Sequence, residues 1–129
     1  MRKYMNYVGT IIEESLENTD VLNGVKISKT KIEKVTARHS TPWIKQWTVH
    51  SVEIPDNQAK GVAEQISKVL DSKHSWYADF KSEAKHYIIF RGRVFFIDRQ
   101  SQGQYDAARQ YGISVGIPEY QVNFRVENF

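Results

Sequence analysis

The most apolar stretch of the chain is residues 86–99, where two hydrophobic runs flank Arg91-Gly92-Arg93. Ile88 and Phe90 alternate with Tyr87 and Ile89; beyond the Arg-Gly-Arg step, Val94 and Phe96 alternate with Phe95 and Ile97. A period of two sends the alternate residues of a strand to opposite faces, so each run is apolar on both. Strands of that kind belong in a sheet covered above and below, and glycine tolerates the positive φ of a tight reversal. The pattern predicts a hairpin at the centre of the fold.

Elsewhere the patterns are one-sided. Thr10-Ile11-Ile12-Glu13 has the form of a capping box, with Ile11, Ile12, Ser15, Leu16 and Thr19 near helical spacing behind it, and predicts a short helix over 10–18. Asn23-Gly24 reads as a turn. Residues 25–36 interleave β-branched side chains with lysines, as a strand with one wet face does. The alternation slips between Ile27 and Ile32, which predicts a bulge or a break. Residues 46–54 form a cleaner strand, with Trp47, Val49 and Ser51 on one face, expected to pair antiparallel with 25–36 across the loop 38–44.

Pro55-Asp56-Asn57 stops that strand and offers a helix cap. Ala59, Val62, Ala63, Ile66, Val69 and Leu70 then recur at helical intervals and predict an amphipathic helix over 57–71. Residues 76–80 read as a strand and 81–85 as a polar turn before the hairpin. Ser101 caps a last helix through about Tyr111, with Gly112 as its terminator. The tail is expected to pack back through Tyr120, Val122 and Phe124. The order α-β-β-α-β-β-β-α describes an α+β fold: a largely antiparallel sheet of about five strands with helices packed on it, in a single domain over 1–129.

A chain of 129 residues can bury a real core, and seven Tyr, six Phe and three Trp supply bulk for it. The absence of cysteine excludes disulfides, thiolate metal sites and cysteine nucleophiles. Arg2 and Lys3 are not followed by an apolar leader, because Glu13, Glu14 and Glu17 intervene, and no run approaches the roughly 20 apolar residues that span a bilayer. A cytoplasmic protein without membrane association is expected. The net charge of +3 is uneven: residues 25–45 carry Lys26, Lys29, Lys31, Lys34, Arg38 and Lys45 against Glu33 alone. Such a segment is either a solvated edge strand, protected by its lysines from aggregation and able to pair with a second copy across a two-fold axis, or a surface that attracts anions.

Candidate chemistry is sparse. Pro55-Asp56 followed by Glu83-Ala84-Lys85 has the letters of the PD-(D/E)xK nucleases, in which two carboxylates hold Mg²⁺ and the lysine positions water. Yet Asp56 falls at a helix cap, and Glu83 and Lys85 fall in a turn, where capping and turn roles suffice. His39, His50, His74 and His86 show no metal spacing. His50 and His86 sit in strands, where a histidine commonly partners an acid. His86 and Asp98, at the outer ends of the hairpin, are the candidate catalytic pair, though no nucleophile accompanies them. Asp79 gains interest only if it is buried and unpaired. Lys29, Lys31 and Lys34 with Arg91 and Arg93 are the candidate set for nucleic acid or a phosphorylated ligand, which requires them to converge on one face. Nothing in the sequence marks a cofactor or a metal site. The reading is a binding or accessory protein without a supported catalytic mechanism; its alternatives are the phosphate or nucleic-acid binder and a hydrolase built on the His86–Asp98 pair.

Arg2-Lys3-Tyr4, residues 9–16 (GTIIEESL), 46–53 (QWTVHSVE), 76–80 (WYADF) and 111–121 (YGISVGIPEYQ) together resemble a family of small uncharacterised prokaryotic single-domain proteins. The resemblance covers most of the chain. It implies a free-standing cytoplasmic domain and brings no activity, cofactor or catalytic residue with it.

Overall fold

In the computed structural model, which describes residues 6–127, six strands make one antiparallel sheet. They are β1 (Tyr7–Ile12), β2 (Lys26–Lys34), β3 (Gln46–Ile54), β4 (Tyr77–Lys81), β5 (Lys85–Phe90) and β6 (Arg93–Asp98), and their spatial order is β2-β3-β1-β4-β5-β6. Two helices, α1 (Asp56–Val69) and α2 (Gln102–Ser114), pack on opposite faces. Toward α1 the sheet turns Tyr7, Ile11, Val52, Ile54, Ala78, Phe80, Tyr87 and Ile89, which meet Ala59, Val62, Ala63 and Ile66. Toward α2 it turns Ile88, Phe90 and Ile97, which meet Tyr105 and Ala108. The α+β class and the antiparallel sheet agree with the sequence pattern. The element order is β-β-β-α-β-β-β-α, with one strand more and one helix fewer than expected.

The difference is residues 7–18. The expected helix over 10–18 is the strand β1 followed by a 3-10 turn, Glu13–Ser15. Tyr7, Gly9 and Ile11 alternate toward α1, and the middle position of that face carries no side chain, which hides the period of two. Gly9 pairs with Phe80 of β4 so closely that a Cβ on it would meet the Asp79 carbonyl oxygen at 2.0 Å. The carboxylates of the apparent capping box serve distant strands instead. Glu13 accepts from His50 Nε2 (2.8 Å), and Glu14 accepts from the Thr48 backbone N–H (2.6 Å) and hydroxyl (2.7 Å).

The apolar hairpin forms, with Gly92 at φ 75°, but its register sets Asp98 opposite Lys85 and not His86, and it does not lie at the centre. β6 is an edge strand, and β1 and β4 are central. The hairpin is apolar on both sides because α1 and α2 both cover this end of the sheet, while Phe96 of β6 remains 53% exposed. Two-sided burial reports covered faces, not a central position.

The remaining elements follow their patterns more closely. β2 is the other edge, and its register against β3 shifts between Ile27 and Lys29, where the alternation slips. Arg91 caps α1 by donating from Nη1 to the carbonyls of Leu70 (2.5 Å) and Lys68 (3.3 Å). Pro55, not Asp56, holds the cap position at the start of α1, and Asp56 lies in its first turn. Ser101 caps α2 by accepting from Gln104 N–H at 3.2 Å. The helix runs through Gly112, which is no terminator: a Cβ there would lie 2.9 Å from Val122 Cγ1 and 3.3 Å from the Phe90 ring, so it permits close packing. Gly116, at φ 100°, follows its end. The tail packs through Ile117, Val122 and Phe124, whereas Tyr120 is exposed. Among the described residues no helix is long and apolar enough to cross a membrane.

Candidate functional site

On its α2 side the sheet is only half covered. α2 lies over β5 and β6, while β3, β1 and the start of β4 present Trp47, Val49, Thr10, Ile12, Tyr77 and Asp79 as the floor of a cavity of about 610 Å³. Register sets this floor: Ile12 pairs with Val49, and Thr10 pairs with Ser51 on one side and Asp79 on the other. Three connections wall the cavity: the β2–β3 loop with His39, Thr41 and Trp43, residues 74–76 ahead of β4, and residues 116–121 after α2.

All three tryptophans of the chain line it. Trp43 stacks on His74 at 3.7 Å between centroids, nearly parallel at 11°, and meets Trp76 edge-on at 6.3 Å. Trp76 lies 5.7 Å from Trp47, which stands at right angles to His39 at 4.4 Å. Five rings thus form one continuous aromatic surface. Two of the indole N–H groups are turned to protein acceptors, Trp47 to Thr41 Oγ1 (2.9 Å) and Trp76 to Asp71 Oδ2 (3.3 Å). The rings are thereby fixed by their polar edges, and their faces are the part left for contact. The tail closes over one side. The Tyr120 hydroxyl donates to the Arg38 carbonyl, Gln121 Nε2 donates to the His39 carbonyl (3.1 Å), and Tyr77 donates to the Gln121 carbonyl (2.7 Å).

Two carboxylates, Glu33 and Asp79, line the cavity and a third, Asp71, stands behind its wall, each held by a histidine. Glu33 accepts from His39 Nε2 at 3.3 Å, an orientation fixed because His39 Nδ1 accepts the Thr36 backbone N–H at 3.0 Å; Lys31 stands 3.6 Å from the same acid. Asp71 binds His74 Nδ1 at 2.7 Å. Burial alone would raise its pKa, but hydrogen bonds from the Lys73 backbone, His74 and Trp76 outweigh that and hold the carboxyl below the usual range. Asp79 accepts from His86 Nε2 at 2.7 Å, and His86 Nδ1 faces the Tyr105 hydroxyl at 2.9 Å. Burial raises the Tyr105 phenol's pKa. The imidazole thus stands between a phenol and a carboxylate. Burial, with the Asp79 charge beside it, also pushes the Tyr77 phenol well up.

His86 and Asp98 do not meet. The cross-strand neighbour of His86 on β6 is Ile97, and Asp98 opposes Lys85, so the two side chains leave the sheet on opposite faces. The partner of His86 is Asp79, which is therefore paired and only part-buried. His50 likewise partners an acid, Glu13, as its strand setting implies. The basic set separates as well. Lys29 and Lys31 lie on edge β2, while Arg93 lies on edge β6, five strand spacings away, roughly 24 Å. Lys34, opposite Gln46, points to the face away from Lys29 and Lys31. Arg91 is committed to the end of α1, and Arg93 lies over the Phe95 and Tyr111 rings at 4.5 and 5.4 Å. Asp56 opens α1, and the ammonium of Lys85 lies 5.4 Å from the Phe96 ring centroid. Among the described residues no three His, Asp or Glu side chains group as metal ligands would.

The sequence pattern does not single out Trp43, His74 or Trp76 for a site. They reach one place from segments about thirty residues apart, and only the shared residue type, all three tryptophans, could have drawn attention to it. Arg2, Lys3 and Tyr4 lie outside the described residues. No family model, curated protein or solved structure matches this chain.

Proposed function

We propose that this protein is a binding module whose site is the aromatic cavity on the open half of the sheet. The observation that carries the reading is the gathering of all three tryptophans, with His39 and His74, around one concavity of about 610 Å³. That volume falls in the range of small-molecule pockets, which are mostly apolar walls with a few placed polar groups. Here Thr41, Glu33 and Asp79 supply such groups. A nucleophile beside a base is not part of this reading.

Because every tryptophan lines the cavity, intrinsic fluorescence reports on it. A fragment library screened by ligand-observed NMR is expected to yield flat ligands that shift the indole emission, and Trp43→Ala is expected to weaken them at least tenfold. Ligands that leave the emission unchanged and bind the Trp43→Ala chain equally well would overturn the reading.

A second reading keeps support from one observation. The bulge after Ile27 brings Lys26, Lys29 and Lys31 to the same face as the cavity, opposite Glu53, Ser51 and Val49. An anionic ligand with its ring in the cavity could extend toward them. Binding that falls steeply with salt would mark that mode.

A further inference from the structure

Resting on the cavity reading, we infer that its ligand is a flat organic cation, an amidinium or protonated heteroaromatic amine, which seats its charge at Asp79 and its ring against the tryptophans. Among the described residues the cavity is lined by two acids, Glu33 and Asp79, and by no lysine or arginine. The two acids differ in what already balances them. Glu33 is shared between His39 and the ammonium of Lys31. Asp79 has one side-chain partner among the described residues, His86 Nε2 at 2.7 Å, whose Nδ1 faces the Tyr105 hydroxyl. Among the described residues only its Oδ2 is engaged.

A carboxylate with one oxygen unengaged presents negative charge at the floor of an aromatic pocket. Such a charge attracts a cation more strongly there than it would in water. The walls favour the same sign, since an indole face attracts a cation through its quadrupole. Shape adds flatness: Trp43 and His74 are already stacked, and a third planar group can extend that stack. An amidinium also offers two parallel N–H donors to the two oxygens of a carboxylate. Asp79 on β4 is held by strand pairing on both sides, so the charge sits on a rigid element.

The test compares benzamidine, benzamide and benzoate, three near-isosteres that differ in charge, by isothermal titration calorimetry on the unmodified chain. Benzamidine is expected to bind at least tenfold more tightly than benzamide, with benzoate weakest. Asp79→Asn is expected to remove that discrimination while retaining benzamide. Trp43→Ala should weaken benzamidine and benzamide alike. Equal binding of benzamidine and benzamide would overturn the cation assignment and leave the cavity reading standing. Tighter binding of benzoate would overturn it in favour of the lysine rim. Binding of none of the three would overturn the assignment, and the cavity reading would fall with it only if the fragment screen were also empty. The wild-type comparison decides the matter even if Asp79→Asn fails to fold.

Discussion

One face of one sheet carries two regions of similar composition and opposite fate. Over β5 and β6, Phe90, Phe95, Tyr105, Tyr111 and Phe124 interlock beneath α2, and Phe90 and Tyr105 are almost wholly buried. Over β3 and β1, Trp43, Trp47, His39 and His74 are just as aromatic, with Trp76 buried behind them, yet no helix covers this side of the sheet and a cavity remains. The difference is not in the amount of apolar material. In the covered half the rings fill the space between two layers; in the open half the rings are tethered by their edges to Thr41 and Asp71 and hold the space open. Aromatic content therefore says little about where a site lies, and the layer above it says much more.

This contrast breaks most sharply under truncation. Phe90→Ala removes a ring 1% exposed that also borders Gly112, and is expected to cost about 3–5 kcal/mol in urea unfolding. Trp43→Ala removes a ring 44% exposed and is expected to cost under about 1 kcal/mol while weakening cavity binding at least tenfold. Equal losses would mean that the open half is ordinary core. Gly9→Ala comes next. Its Cβ would strike the Asp79 carbonyl at the β1–β4 seam between the halves, and a loss of about 3 kcal/mol is expected, since a backbone obstacle does not yield as a side chain can. A near-neutral result would show that the seam can slide.

The seam is also where the sequence is hardest to read. β1 is central, but its outward residues Thr10 and Ile12 face a cavity, and Gly9 blanks its inner face, so neither period stands out. Thr10 and Glu13 then imitate a capping box although Glu13 serves His50. The helix of residues 56–69 and the hairpin 85–98 were legible because each carries a regular period, the helix on one buried stripe and the hairpin on two covered faces. The cavity was not, because Trp43, Trp76 and Gln121 come from loops whose meeting depends on clasps such as Gln121 to the His39 carbonyl. Local periodicity carries no trace of such a contact. His86 was legible as the histidine of an acid pair, but its acid was misassigned by a single residue of register: Lys85, not His86, stands opposite Asp98.

Arg91→Ala sharpens the comparison at a smaller scale. This arginine, a candidate for nucleic acid by sequence, caps α1 through the Leu70 and Lys68 carbonyls and touches Glu17 at 3.3 Å. Its removal is expected to cost about 1 kcal/mol, given that the side chain is partly exposed, and to leave cavity binding unchanged. A loss of binding without loss of stability would return Arg91 to the ligand.

The smallest expected effect is on pH dependence, and it belongs to the open half. Asp71 holds His74 and Trp76 in place, and its folded pKa lies below the ordinary carboxylate value of about 3.9. A group depressed in this direction contributes stability that is fully present above its unfolded pKa and is lost as pH falls through the folded one. The wild-type chain should therefore lose stability from about pH 4 downward partly through this carboxyl, with a contribution under about 1 kcal/mol. Asp71→Asn should begin less stable at pH 7 and then lose less on acidification between pH 5 and 3, so that the two urea midpoint curves converge. Since the amide keeps only one of the two oxygens that accept from the Lys73 N–H, His74 and Trp76, these contacts should weaken, the Trp43 stack should loosen and the indole emission should shift in the variant even at pH 7. Parallel midpoint curves with unchanged emission would show that the rings hold themselves in place, and that the open half is closer to the covered one than its hydrogen bonds imply.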